Sequence, residues 1–220
     1  MFWGFESFDY LCYIMMETNG FKQTVMLIDG DYVDSVAFDL TVNFERMLMR
    51  RIRPVDMAQW LVCMALDGGV GECPAGTSQE VQVIFLHGQD KRRLEQFVPC
   101  DLAKDIDGKA FRDERLGEFL MSAVKKEGMA GEDFFVECAE ALLGSREVKT
   151  VILIPDMAKY GTRLKDMIAD ESKKAEKENR KDITLLAMQP EAGRGFQSEI
   201  LGYSLMHAMG IKGEELRVES

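Results

Sequence analysis

Histidine and paired cysteine are the scarcest chemistry in this chain: there are two histidines and five cysteines, Cys12, Cys63, Cys73, Cys100 and Cys138, with no C-x-x-C pair among them. A structural zinc site needs four such ligands at short, regular spacing, and this odd, scattered set does not supply them. Reduced thiols in a cytoplasmic setting are therefore expected, with Cys63 and Cys138 acting as small buried hydrophobes in apolar helical stretches. Proline is rare too, at five residues, and no Gly/Ser-rich or Pro-rich tract divides the 220-residue chain. One folding unit follows, long enough to bury a sizeable core. An excess of basic residues is also missing. The formal net charge of −11 repels phosphate backbones and anionic lipid, so a nucleic acid, RNA included, would have to enter a local basic groove, for which segments such as Arg46–Arg53 and Lys91–Arg93 offer concentrated positive charge. Each of those segments also fits a solvated helix face.

No uncharged apolar run is long enough to cross a bilayer, so no membrane partner is expected. The aromatic start, MFWGFESFDYLCYIMM, has no basic leader and carries Glu6 and Asp9, which argues against a secretory signal. Residues 1–23 are read as an extension, either docked on the domain or produced by translation starting upstream of Met15 or Met16. Residues 24–213 are read as the domain and 214–220 as a tail.

Short apolar runs alternate with helical periodicity. TVMLID (24–29) reads as a buried strand released at Gly30, with Asp34 or Ser35 capping a helix to Ile52 and Pro54 opening a second helix that ends at Gly68-Gly69. VQVIFL (81–86) is a second strand and Phe97-Val98 a brief one. Asp101–Gly108 reads as a polar connection, Phe111–Val124 as a helix, and Glu132-Asp133 as the acidic start of a helix to Leu143. TVILI (150–154) is a strand closed by Pro155-Asp156, followed by a charge-laced helix from Tyr160 to about Lys181. ITLLAM (183–188) is the last strand, and Ser198 caps the closing helix. Continuously apolar strands alternating with helices predict a three-layer α/β/α fold with a mostly parallel central sheet. Ligands of such folds gather outside the carboxyl ends of the strands.

Those ends carry the candidate chemistry. Asp29 and Asp31 flank Gly30 after the first strand, and Asp156 follows the strand at 150–154. Carboxylates brought together repel unless a hard cation such as Mg²⁺ or Mn²⁺ neutralises them, or one of them takes up a proton. Taken singly, Asp29 or Asp156 reads first as a helix cap or turn residue, and it is the agreement of two strand ends that points to a site. Glu137 and Glu140, on the helix before the third long strand, could add oxygen ligands or form only a solvated face.

The pieces VMLIDGD (25–31), EDFFVECAEALL (132–143), VILIPD (151–156) and ITLLAM together resemble the NYN family, a branch of the PIN-like nucleases. The resemblance covers roughly Thr24 to Gly210. It implies a Mg²⁺- or Mn²⁺-dependent ribonuclease in which Asp29 and Asp156 hold the metal, Asp31 is a catalytic auxiliary that ligates or orients water, and Glu137 or Glu140 completes the shell. Two positions depart from the pattern. The family's S-G-D-x-D-F turn is here Ile154-Pro155-Asp156-Met157-Ala158-Lys159, with Ala158 at the second aspartate, and Tyr32 stands near the family's asparagine. A lost ligand weakens a cation site, so a non-catalytic protein-interaction module on the same fold, binding a protein partner or a second copy of itself, is the alternative.

Asp29-Gly30-Asp31-Tyr32-Val33 also resembles the D-x-D-x-[TV] motif of the haloacid dehalogenase family, which would make Asp29 a phosphoryl-accepting nucleophile. That family's Ser or Thr at the next strand end is missing from Phe85-Leu86-His87. His87 and His207 are read as structural, no serine or cysteine triad is available, and Glu191–Gly195 is read as a glycine turn.

Overall fold

The computed structural model describes residues 20–73, 78–126, 133–174 and 180–216. Trp3 and Phe5, the rest of the extension up to residue 19, Gly128, Gly131 and Glu132 lie outside the described residues. The fold is the expected three-layer α/β/α arrangement around a mostly parallel sheet. Its elements in chain order are β1 (Thr24–Asp29), α1 (Gly30–Leu48), β2 (Val55–Asp56), α2 (Met57–Asp67), β3 (Glu80–His87), β4 (Phe97–Val98), a wide helical turn at Leu102–Ile106, β5 (Lys109–Asp113) and β6 (Gly117–Lys125). There follow α3 (Phe134–Gly144), β7 (Thr150–Ile154), α4 (Met157–Lys174), β8 (Asp182–Ala187), β9 (Gln197–Ile200), α5 (Leu201–Ala208) and a short turn of helix at Gly213–Leu216.

The main sheet runs β5-β6-β3-β1-β7-β8-β9. Every neighbouring pair is parallel except β5 with β6. β2 and β4 form a separate two-stranded ribbon. From β1 the chain winds outward through β3 and β6 on one side and then through β7, β8 and β9 on the other. The end of β1 is therefore the topological switch point, where the connections on either side diverge and leave a crevice.

Strand alternation sorts the core into two layers. Met26 and Ile28 of β1, Val83 and Phe85 of β3, and Ile152 and Ile154 of β7 pack under α1, α2 and α5. Val25, Leu27, Ile84, Leu86, Val151 and Leu153 point the other way, against α3 and α4. Because side chains alternate with period two, Asp29 continues the Val25–Leu27 row onto the α3/α4 face.

Four expected boundaries are corrected. α1 begins at Gly30 with Asp29 as its N-cap, so Asp34 lies inside the helix and is buried. The second helix starts at Met57, capped by Asp56, three residues after Pro54. The helix expected over 111–124 is instead the antiparallel pair β5–β6. Leu116, Phe119, Leu120 and Val124 recur at i, i+3, i+4 and i+8, a helical spacing, and only pairing with β3 reveals the strand. Gly117, at φ +90, is built into that turn: a Cβ there would lie 2.2 Å from the Gln79 carbonyl oxygen. Ser198 sits within β9 and α5 starts at Leu201. Among the described residues, no helix is long and apolar enough to cross a membrane.

Candidate functional site

Asp29 is the last residue of β1 and is fully buried. Its Oδ1 accepts the backbone N–H groups of Asp31 and Tyr32, both at 3.2 Å, which satisfies two of the donors that the first turn of α1 leaves unpaired. This is the capping role that a strand-end aspartate performs most simply, and the positive end of the helix favours the carboxylate there. Gly30 permits the geometry, since a Cβ at that position would stand 3.1 Å from the Leu86 carbonyl oxygen.

Two side chains complete the neutralisation of Asp29. The Lys126 ammonium donates to Asp29 Oδ1 at 2.8 Å and to Asp31 Oδ2 at 3.1 Å, with only 9% of its side chain exposed. The Tyr160 hydroxyl, from α4, donates to Asp29 Oδ2 at 3.0 Å. Lys126 follows β6, two strands from β1 and so roughly 10 Å away. Its own backbone N–H donates to the His87 carbonyl at 2.7 Å, and this extension of the β3–β6 ladder holds it at the sheet edge, from which the side chain reaches across β3. Tyr160 stacks on Phe135 with ring centroids 5.2 Å apart. Burial, followed by the Asp29 charge and hydrogen bond, raises the pKa of its phenol, so it remains a donor at neutral pH.

Asp31 also clips α1 to β3, since its Oδ2 accepts the Gly88 N–H at 2.9 Å. One turn on, the buried Asp34 accepts Lys91 Nζ at 2.7 Å and the Gln96 N–H at 2.9 Å. Asp156 behaves like Asp29 on a smaller scale, accepting the Ala158 N–H at 3.1 Å and pairing with Lys159 Nζ at 3.2 Å at the start of α4. Asp29 and Asp156 act on the same two tyrosines. After burial, Tyr32 has its pKa raised by Asp156, Asp29 and Glu191, and Tyr160 by Asp29, Asp156 and Asp31.

The carboxylates expected to hold a metal do not converge into a ligand set. Among the described residues, no group of three or more His, Cys, Asp and Glu side chains could hold an ion. Glu140 turns outward into a groove with Arg163, Asp166 and Asp170 between α3 and α4, away from Asp29. Glu137 buries its Oε2 without a hydrogen-bond partner among the described residues. A hard divalent cation needs several open oxygens, whereas the oxygens of Asp29 are committed to an ammonium, a phenol and two amides. The residues present do not fit Mg²⁺ or Mn²⁺ in this arrangement. Lys126 and Tyr160 do not stand out in the sequence; for Lys126 the strand at 117–125 is the reason, since reading it as a strand would have put Lys126 at the carboxyl edge, two strands from Asp29.

His87 closes the edge beneath Asp31. It is buried, and its Nδ1 lies 2.9 Å from the Gly88 carbonyl oxygen, which can only accept, so Nδ1 carries the proton. Burial is the leading effect and lowers the imidazole pKa from 6.5, with Lys125 and Lys126 in the same direction and the Gly88 bond and Asp31 opposing. The folded state therefore holds His87 neutral while the unfolded chain protonates it. That contribution to stability is complete above pH 6.5 and is lost as pH falls below it toward the depressed folded value. His87→Gln should accordingly lose less stability than the wild type between about pH 7.5 and about pH 5.5, as urea midpoints would show.

Fold and site together define an α/β protein of the parallel, doubly covered class, with an acid–lysine–tyrosine cluster at its topological switch point. The chain belongs to the family described as a family of unknown function (DUF6621), whose model matches residues 18–216. Searches of the curated proteins and of the solved structures found no match.

Proposed function

We propose that this chain is a non-catalytic protein-interaction module on a nuclease-like α/β scaffold, in which the Lys126 ammonium takes the place of a divalent cation between Asp29 and Asp31. The observation that carries the reading is the pairing of one buried ammonium with both carboxylates, at 2.8 and 3.1 Å. A metal entering there has to displace Lys126 and leave its charge in a site that is nine-tenths buried, at a cost of several kcal/mol on the order seen for uncompensated buried charges. Ala158, at the position where the resembled nucleases carry a second aspartate, removes a ligand that would offset part of that cost. Phosphoryl transfer by Asp29 is disfavoured for a related reason, because neither of its oxygens is exposed to an incoming phosphate.

The metal-dependent ribonuclease is the second reading, favoured by the shared influence of Asp29 and Asp156 on Tyr32 and Tyr160. Calorimetric titration of Mn²⁺ into the wild type and Asp29→Asn, followed by incubation with single-stranded RNA, separates the two. The expected result is no Mn²⁺ uptake by either protein and no cleavage. Uptake by the wild type that disappears in Asp29→Asn, with RNA cleavage in the same buffer, would establish the nuclease instead.

A further inference from the structure

α1 is apolar on two faces. Its inner stripe, Val33, Val36, Ala37, Leu40, Phe44 and Leu48, packs on the sheet. On the opposite side Phe38, Val42 and Met49 follow one another at i, i+4 and i+11, exposed to 54%, 42% and 87%. A helix of a water-soluble fold carries one apolar stripe, and a second one is stable when something covers it. Met49 adds an independent sign. It caps α1 in the left-handed conformation at φ 51, where a helix end open to water favours glycine or asparagine. Methionine there costs roughly 1–2 kcal/mol of backbone strain, which solvent contact of its side chain does not offset.

The charges beside the stripe select the occupant. Asp39 and Arg46 are exposed, lie on the same flank of Val42 two turns apart, and neither has a salt-bridge partner among the described residues. We infer that the outer face of α1 is an interface between two copies of this chain, with their α1 helices antiparallel about a twofold axis near Val42 and Asn43. That axis sets Asp39 against the partner subunit's Arg46 and Arg46 against the partner subunit's Asp39, with the two apolar stripes between them. A parallel pair would carry the Asp39 and Arg46 side chains of the two copies to opposite sides of the seam and leave them without that pairing, so the charges favour the antiparallel arrangement. This inference stands apart from the proposed absence of metal chemistry, since α1 reaches the interface with residues that do not touch Asp29.

The test is sedimentation equilibrium on the full chain and three variants: Asp39→Arg, Arg46→Asp and the double exchange D39R/R46D. The wild type should sediment at twice 24.9 kDa. Each single exchange opposes like charges and should raise the dimer Kd by about tenfold or more, while the double exchange restores it to within about threefold. A wild type that is monomeric up to about 100 µM overturns the proposal, and a drop in the Tm of its Val42→Glu variant would then show that the stripe is covered within the chain. A dimer indifferent to the single exchanges, or one that the double exchange fails to restore, also overturns it.

Discussion

Replacing Lys126 with methionine should lower the unfolding free energy by about 3–5 kcal/mol, the range for removing one partner of a buried ion pair. The loss arises less from the broken bond than from what stays behind, because Asp29 remains fully buried without its cation while Lys91, 3.9 Å from Asp31, pairs with Asp31 and Asp34 instead. Asp29→Asn should cost less, since Lys126 keeps Asp31 at 3.1 Å and the amide oxygen can still accept from the α1 backbone. The double variant D29N/K126M should lose less than the sum of the singles, because neither charge is stranded, and urea denaturation of the four proteins measures that coupling directly. A Lys126→Met protein as stable as the wild type would mean that another counter-ion balances the acids, and the metal-binding reading would return.

Asp34→Ala is expected to be the second most costly change, at about 2–4 kcal/mol, since it leaves a hydrogen-bonded lysine and a backbone amide without their acceptor. Asp34 ties the first turns of α1 to the segment between β3 and β4 through Lys91 and the Gln96 amide. Its role is mechanical, so the loss should be the same with and without Mn²⁺, as thermal melts in each buffer would show. Dependence of the loss on Mn²⁺ would instead draw Asp34 and Asp31 into a cation site.

Lys126 and Asp34 mark the border of what was legible beforehand. Asp29 was identifiable because an apolar run that ends in Asp-Gly is a local pattern, and the helix that follows needs a cap within a few residues. The cap on Asp156 was legible for the same reason. Lys126 lies 97 residues from Asp29 and meets it only because β3 lies between β1 and β6 in the sheet. Tyr160, 131 residues away, arrives through the packing of α4 on the α3/α4 face. No spacing rule reports such distances. The antiparallel turn at Gly117 also escaped, because the apolar residues of β6 follow a helix-like spacing until a neighbouring strand fixes the register.

The sequence by itself determined the fold class, since continuously apolar strands between helices leave no arrangement but a sheet covered on both faces, and it determined that two of those strands would end in carboxylates. Tertiary structure decided what neutralises them. The choice between a cation from solution and an ammonium from the chain depends on which strand end lies beside which, and here strand order delivers Lys126 and the packing of α4 delivers Tyr160 to the oxygens that a metal would need.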